Sequence, residues 1–272
     1  MSSELELVIV PDLDTLATEA AERIAVTLAD AVRARGRADW ATTGGSTVPA
    51  IYRHLAAAPL RDIVPWGSVH VWWGDDRYVP RDHPLSNVKP FDDILLSVAA
   101  AETGQLGPGT VANPKPVPIP IGQLHPFPTT LSISHARGAA WCAAELAAEL
   151  GGAGLERSGT WPVFDLIVVG IGADGHLLSV FPGSAALESN DLAMAIPAPT
   201  HIEPHVERVT LNPAVLGVAR RVLVVVGGES KASVLADVMG SLRDPSRWPA
   251  QLARLEQAIW VLDSAAASRL AR

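Results

Sequence analysis

The residues best suited to chemistry lie in one short stretch, residues 170–182, which read GIGADGHLLSVFP. Its ionisable side chains, Asp174 and His176, stand two residues apart among glycines. A neutral imidazole can take a proton from water near pH 7, and a neighbouring carboxylate can orient the ring. The alternative is a structural histidine in an ordinary loop. Because the apolar run FDLIVV precedes the stretch, we expect His176 at the exit of a buried strand, as a candidate general base supported by Asp174.

A second candidate is the segment TTGGSTV, which follows the predicted strand ADWATT. Gly44 and Gly45 allow a sharp turn that directs backbone N–H groups at an anion, and Ser46 and Thr47 add hydroxyl donors. The next helix is expected from about Pro49, so its N-terminus faces the same point. The segment therefore suits a phosphate. The alternative is a plain turn in which a hydroxyl caps the helix.

Two further segments, GDDR and GGESK, also follow apolar runs. Arg77 could bind a phosphate or carboxylate through its guanidinium, with Asp75 or Asp76 holding it in an ion pair. Lys231 is expected at the start of a helix, where it opposes the helix dipole unless an anion lies nearby. The alternative for Arg77 is a purely structural ion pair, and the alternative for Lys231 is an ordinary lysine exposed to solvent. Further along, Asn87 could contact the ligand or cap a following helix.

The elements around these segments alternate between strands and helices. Strands are expected at 5–10, 38–43, 68–73, 163–170, 207–211, 221–228 and 258–263, and helices at about 13–35, from 49, 88–101, 132–149, 229–240 and 264–270. This order predicts an α/β fold with a doubly wound, mostly parallel, Rossmann-like sheet and helices on both faces. Ligands bind beyond the carboxyl ends of such strands, so the segments named above should meet there.

Residues 103–130 are rich in proline and glycine and are expected to form an irregular surface insertion, rather than sheet, within a single domain spanning residues 1–272. The net charge of −8 argues against a nucleic-acid or anionic-membrane surface. The lone Cys142 cannot form an internal disulfide and is expected to be buried. No signal peptide or membrane helix is expected, so we expect a cytoplasmic protein. No metal site is expected either, since Pro204 separates His201 from His205 and argues against a helical histidine pair.

Taken in order over residues 5–270, four segments resemble the 6-phosphogluconolactonase family, within the glucosamine-6-phosphate isomerase/lactonase superfamily: TTGGST, WWGDDRYVPRDHPLSN, VGIGADGHLLSVFPG and ERVTLNPAVLGVARRVLVVVGGESKASVL. The resemblance implies a NagB/RpiA-like fold and hydrolysis of 6-phospho-D-glucono-1,5-lactone to 6-phosphogluconate, in the oxidative pentose phosphate pathway, without cofactor or metal. From the acidic charge we expect no nucleic-acid or membrane partner, and we expect a monomer or weak homodimer.

Carried onto this chain, the resemblance makes His176 the residue that activates water, with Asp174 supporting it. The expected substrate and phosphate contacts are Gly44, Gly45, Ser46, Thr47, Asp75, Arg77, Asn87, Gly172 and Lys231. Two departures from the family pattern stand out. Asp76 replaces a glutamate, which shortens the carboxylate, and Leu177-Leu178 replace a threonine and a small residue, which removes a hydroxyl beside the base.

Two alternative functions fit the sequence less well. An aminosugar-phosphate deaminase/isomerase moves protons between carbons and carries a glutamate where this chain has Phe181, which cannot shuttle a proton. A sugar-phosphate sensor normally carries a DNA-binding helix-turn-helix, whereas this sequence opens with a strand and is acidic. We therefore expect a lactonase.

Overall fold

The computed structural model of the chain describes residues 5–96 and 116–270. The strands in these residues are β1 (Glu6–Val10), β2 (Ala38–Thr42), β3 (Val69–Trp73), β4 (Asp75–Arg77), β5 (Leu124–His125), β6 (Arg157–Ser158), β7 (Trp161–Pro162), β8 (Leu166–Val169), β9 (Ala193–Ile196), β10 (Arg208–Leu211), β11 (Val222–Val226) and β12 (Ala258–Asp263). The helices are α1 (Leu13–Arg35), α2 (Val48–Ala56), α3 (Leu60–Ile63), α4 (Lys89–Phe91), α5 (Thr129–Ser134), α6 (Ala139–Gly152), α7 (Val215–Val218) and α8 (Ala232–Gly240).

Seven strands form the central sheet in the order β1-β12-β11-β8-β2-β3-β5, and every neighbouring pair is parallel. From β2 the chain steps outward through β3 to β5. It then returns to the middle at β8 and steps outward the other way through β11 to β12. The predicted doubly wound α/β sheet is confirmed, and its topological switch point lies between β2 and β8, where such folds bind ligands.

The sheet occupies the middle of the molecule because its strands are apolar on both faces. Every residue of β2, β8 and β11 is buried, as covered parallel strands require. The long helix α1 buries one row of residues and contacts β2, β8, β11 and β12. Asp12 caps its first turn by accepting a hydrogen bond from the Thr15 N–H at 2.8 Å. Gly36, at φ 75°, ends the helix as the sequence predicts.

A second sheet is antiparallel and has the order β4-β10-β9. The prediction that residues 207–211 belong to the parallel sheet is therefore wrong, since β10 pairs with β4 and β9 instead. Residues 75–77, expected as a loop, form β4. Gly74 separates β3 from β4; its N–H donates to the Thr42 carbonyl and its own carbonyl accepts from Leu211 N, each at 2.8 Å. Which strands pair with β10 depends on residues that are distant in sequence, and local sequence patterns do not report such pairing.

Several predicted helices are shorter than expected or interrupted. The helix expected at 132–149 is two helices, α5 and α6, because Ala136 and Gly138 take positive φ between them. The residues at 264–270 form only a 3₁₀ turn, Ala266–Arg269. A 3₁₀ turn at Glu229–Lys231 precedes α8. The helix expected at 88–101 comprises α4 and a π turn at Asp92–Leu96, and its remainder lies outside the described residues.

The proline-rich segment predicted at 103–130 is irregular only in part. Residues 103–115 lie outside the described residues. Val117, Ile119 and Phe127 are buried in the core, and β5 adds an edge strand beside β3. The expectation that this segment stays out of the sheet is wrong at β5. Among the described residues, no helix has the length and apolar character needed to span a bilayer.

Candidate active site

The carboxyl ends of β2, β8 and β11 surround a cleft of about 250 Å³, which β4 and β10 close on one side. His176 lines it, as do all the residues expected to bind substrate, namely Gly44, Gly45, Ser46, Thr47, Asp75, Arg77, Asn87, Gly172 and Lys231. Asp174 lies behind His176. The structure thus brings the expected residues together at the switch point. Their roles stay predictions.

The turn after β2 offers donors to the cleft. Thr47 is the N-cap of α2, but its side chain makes no capping hydrogen bond, so the alternative of a capping threonine does not hold. Ser46 is exposed. Gly44 packs directly on a neighbouring side chain, because a Cβ there would lie 1.7 Å from Oδ1 of Asn87. Only glycine allows the turn to approach Asn87 this closely.

Asp75 and Asn87 form the part of the cleft wall that lies beside this turn. The hydroxyl of Ser179 donates to Asp75 Oδ2 at 2.6 Å, and Asn87 Nδ2 donates to the Asp75 carbonyl at 2.9 Å. Asn87 Oδ1 is buried and has no hydrogen-bond partner within the described part of the chain. Carboxylate and carbonyl oxygens accept hydrogen bonds, so this wall suits sugar hydroxyls better than a phosphate. Asn87 does not cap a helix, since Val88 is the N-cap of α4.

Asp76 points away from the cleft and supports the loop behind it. Its Oδ1 accepts from the backbone N–H groups of Arg77 and Asn87 at 2.8 and 2.7 Å, and its Oδ2 accepts from Ser86 Oγ at 3.0 Å. Complete burial raises its pKa to about 7, against the effect of these hydrogen bonds. The shorter carboxylate therefore accepts three hydrogen bonds, two from backbone N–H groups and one from the Ser86 hydroxyl.

The predicted ion pair between Arg77 and Asp75 or Asp76 is absent from the described residues. Instead, Arg77 Nη1 donates to the Leu85 carbonyl at 2.7 Å, and its Nε is buried without a partner among the described residues. Arg77 is aligned with Arg208 across the antiparallel β4–β10 pair. Arg208 also lines the cleft, with a buried Nε that lacks a partner in the same residues. Burial, and then the charge of Arg77, lower the pKa of Arg208.

Asp174 fixes the tautomer of His176. Their contact is 2.6 Å between Asp174 Oδ1 and His176 Nδ1. Burial disfavours the charged carboxylate, but hydrogen bonding and charge from His176 and a hydrogen bond from His201 outweigh it, so the pKa of Asp174 lies well below its ordinary value. An ionised carboxylate only accepts hydrogen bonds, so His176 Nδ1 carries a proton. In a neutral ring, Nε2 is then the basic nitrogen.

The backbone around His176 has no room for side chains larger than glycine at positions 172 and 175. A Cβ on Gly172 would lie 2.0 Å from His176 Nδ1, and one on Gly175, at φ 81°, would lie 2.6 Å from the Trp248 ring. The imidazole therefore rests directly against the Gly172 backbone. Phe181 packs on its other side, with ring centroids 4.8 Å apart. This packing restricts the orientation of His176 without using a hydroxyl from the following residue.

Leu177 and Leu178 have separate roles. Leu177 is fully buried in the core and bridges to Ile171 and Val180. Leu178 lines the cleft and takes φ 56°, a conformation rare for a branched side chain. Leu177, which stands where the resemblance leads us to expect a hydroxyl beside His176, is therefore a core side chain.

Lys231 is the N-cap of α8 rather than a residue of its first turn. Burial lowers the pKa of its ammonium group, and the negative charge of Asp174 acts in the opposite direction. Its ammonium makes no hydrogen bond or ion pair with the residues that the structure describes. A half-buried lysine of this kind is suited to an anionic ligand.

Two further observations concern other chemistries. Cys142 is fully buried, and burial raises the pKa of its thiol to about 12, so it is not a reactive thiolate. Within residues 5–96 and 116–270, no three His, Cys, Asp or Glu side chains form a group able to hold a metal ion.

Sequence reasoning missed Arg208, Ser179 and His201. Arg208 opens a strand that was expected in the parallel sheet, which concealed its position opposite Arg77. Ser179 lies in the GIGADGHLLSVFP stretch, and its partner Asp75 is distant in sequence. The spacing of His201 and His205 bears only on a metal site, whereas His201 Nε2 lies 2.7 Å from Asp174 Oδ2.

A family model, a relative and a solved structure that resemble this chain all bear the name 6-phosphogluconolactonase. Residues 11–260 match the model of the family described as glucosamine-6-phosphate isomerases/6-phosphogluconolactonase. A 6-phosphogluconolactonase of Mycobacterium tuberculosis is 34% identical, over 99% of both chains. The solved 6-phosphogluconolactonase of Trypanosoma brucei is 25% identical with a TM-score of 0.79, covering 99% of this chain and 100% of that one.

A monomeric glucosamine-6-phosphate deaminase has the same fold, with a TM-score of 0.72, over 97% of this chain and 100% of its own, but only 15% identity. Fold alone therefore does not separate the two chemistries, and the residues of the cleft must do so. On the extent of the family match and the 34% identity, the chain belongs to the glucosamine-6-phosphate isomerase/6-phosphogluconolactonase family.

Proposed function

We propose that this chain hydrolyses 6-phospho-D-glucono-1,5-lactone to 6-phosphogluconate, with His176 as the base that activates water. The observation that carries the proposal is the Asp174–His176 pair, whose geometry leaves Nε2 as the basic nitrogen of a residue lining the cleft. Family membership supports the choice of substrate. The arginines and the lysine around the cleft support an anionic substrate.

The reaction follows from this arrangement. His176 Nε2 takes a proton from water as the oxygen attacks the lactone carbonyl, and the carbonyl electrons form a tetrahedral oxyanion. Asp174 stabilises the resulting imidazolium. When the intermediate collapses, the carbon–ring-oxygen bond breaks and the imidazolium gives its proton to the leaving oxygen. The product is an open chain with a free hydroxyl and a carboxylic acid that ionises. The positive charges of the cleft stabilise the oxyanion.

The phosphate is proposed to bind where donors and cations converge. The turn at Gly44, Gly45, Ser46 and Thr47 supplies N–H and hydroxyl groups at the N-terminus of α2, and Arg77, Lys231 and Arg208 supply positive charge. Binding energy from this remote group holds the lactone carbonyl against His176.

The sugar hydroxyls are proposed to bind at the wall formed by Asp75 and Asn87. Asp75, fixed by Ser179, offers a carboxylate acceptor, and Asn87 lines the cleft beside it. The lactone hydroxyls are donors of matching chemistry.

Phe181 distinguishes this chemistry from aminosugar deamination. Its side chain is 7% exposed and packs between His176 and His201. An apolar ring at this place cannot transfer a proton between carbons, so the site has a base for water but lacks a carboxylate at this position.

A panel of three substrates tests the proposal. We expect rapid hydrolysis of 6-phosphogluconolactone, much slower hydrolysis of unphosphorylated gluconolactone, and no ammonia release from glucosamine 6-phosphate. Because each charge-assisted phosphate contact is worth about 1.5–3 kcal/mol, kcat/KM should differ between the two lactones by roughly 100-fold or more. Ammonia release would contradict the assignment, and equal rates for both lactones would contradict the phosphate site.

A further inference from the structure

Asp174 accepts hydrogen bonds from two histidines. Its Oδ1 lies 2.6 Å from His176 Nδ1, and its Oδ2 lies 2.7 Å from His201 Nε2. The second histidine comes from the segment between β9 and β10, far from the β8 exit in sequence. Because an ionised carboxylate only accepts, both ring nitrogens are donors. His201 therefore occupies the oxygen of Asp174 that His176 leaves free.

The segment that carries His201 is held in place from several sides. His205 Nδ1 lies 2.7 Å from the Pro199 carbonyl, and Arg208 Nη2 donates to the Pro204 carbonyl at 3.1 Å. The ring of Phe181 lies against both imidazoles, with centroids 4.8 Å from His176 and 5.7 Å from His201. The two rings are thus separated by an apolar side chain while sharing one carboxylate.

We propose that His201 is a positioning residue that acts on His176 through Asp174. By binding Oδ2, it fixes the rotation of the carboxylate, so that Oδ1 stays aligned with His176 Nδ1. His201 is half exposed and does not line the cleft, so it acts without touching substrate. The inference deepens the proposed function, because it concerns the same base.

The test compares His201→Gln, which retains a donor but cannot titrate, with His201→Ala, which has no donor. The NMR signal of the His176 Nδ1 proton, followed without substrate at one pH, reports its hydrogen bond to Asp174. It should shift upfield or broaden in His201→Ala, because the carboxylate is no longer held at Oδ2, and should be retained in His201→Gln. The variant His135→Gln, on an exposed residue, is the control.

Activity gives a second readout. At neutral pH, kcat for the lactone should fall roughly three- to tenfold in His201→Ala, with KM little changed, and His201→Gln should restore it. The inference is overturned if the Nδ1 proton signal in His201→Ala is the same as in the wild type, or if glutamine fails to restore kcat. Because the NMR signal is read without substrate, a His176→Ala variant that keeps full activity would refute the proposed base and leave the measured effect of His201 on the His176–Asp174 hydrogen bond intact.

Discussion

Arg77 and Arg208 stand opposite each other across the antiparallel β4–β10 pair, and neither guanidinium Nε has a partner among the described residues. Like charges placed directly across a ladder destabilise a sheet. Both residues line the same cleft, together with Lys231. An anion bound there would relieve the repulsion and offer acceptors to both side chains. Under the proposed phosphate site, the two arginines would therefore lower stability whenever no anion is bound.

The first prediction concerns this arginine pair. Replacing Arg208 by methionine should weaken binding of inorganic phosphate by about tenfold or more, because a charge-assisted hydrogen bond is worth about 1.5–3 kcal/mol. The measurement is the rise in unfolding temperature with phosphate concentration, which reports binding to the folded state. Arg33→Met, on the exposed side of α1, should leave the shift unchanged. A full phosphate shift in Arg208→Met would mean that the anion binds elsewhere.

The second prediction concerns Gly172. A methyl group there would collide with His176 Nδ1, so Gly172→Ala should displace the imidazole and lower kcat/KM for the lactone by about 100-fold. The fold should survive, because this glycine has no positive φ. Gly217→Ala is a matched control, since a Cβ there meets no atom within 4 Å. Wild-type kinetics in Gly172→Ala would show that the close contact has no importance for activity.

The third prediction concerns Ser179, which donates to the buried Asp75 carboxylate. Ser179→Ala leaves one carboxylate oxygen without its donor, which should lower the free energy of unfolding by about 1–3 kcal/mol. Because Asp75 is then less firmly held, KM for the lactone should rise more than kcat falls. Chemical denaturation and steady-state kinetics measure the two effects. Ser134→Ala, on the exposed side of α5, serves as the control, and an unchanged KM in Ser179→Ala would count against hydroxyl binding by Asp75.

The fourth prediction concerns Asp76, whose pKa rises from an ordinary 3.8 to about 7 on folding. Between these values the folded chain binds more protons than the unfolded one, so this group makes the free energy of unfolding fall as pH rises from about 4 to about 7. Each unit of pKa difference corresponds to about 1.4 kcal/mol. The near-isosteric Asp76→Asn cannot ionise and should lack this decline. Denaturation of both proteins across the range measures it, and parallel curves would contradict a raised pKa.

The parallel sheet and its ligand edge were predictable because they follow from local patterns. The apolar runs that became β8, β11 and β12 mark buried strands, and glycine with polar residues follows two of them. Asp174 and His176 are two residues apart, so their contact was also within reach of sequence reasoning. Every expected substrate residue lines one cleft for the same reason.

The remaining features depend on contacts between distant segments. Arg77 meets Arg208, Ser179 meets Asp75, and His201 meets Asp174 only because two sheets fold together. The expected ion pair of Arg77 with a neighbouring aspartate does not form among the described residues. The buried Asp76 instead accepts hydrogen bonds from the backbone and from Ser86. Single-sequence patterns report burial and turns, but not which strand pairs with which.

The central claim is that His176 activates the attacking water. The most direct test is hydrolysis of freshly prepared 6-phosphogluconolactone near pH 7, corrected for spontaneous ring opening, by the wild type and by His176→Ala. We expect the wild type to exceed the spontaneous rate and the variant to lose roughly 100- to 10,000-fold in kcat, with little change in KM. Wild-type turnover by His176→Ala would contradict the account.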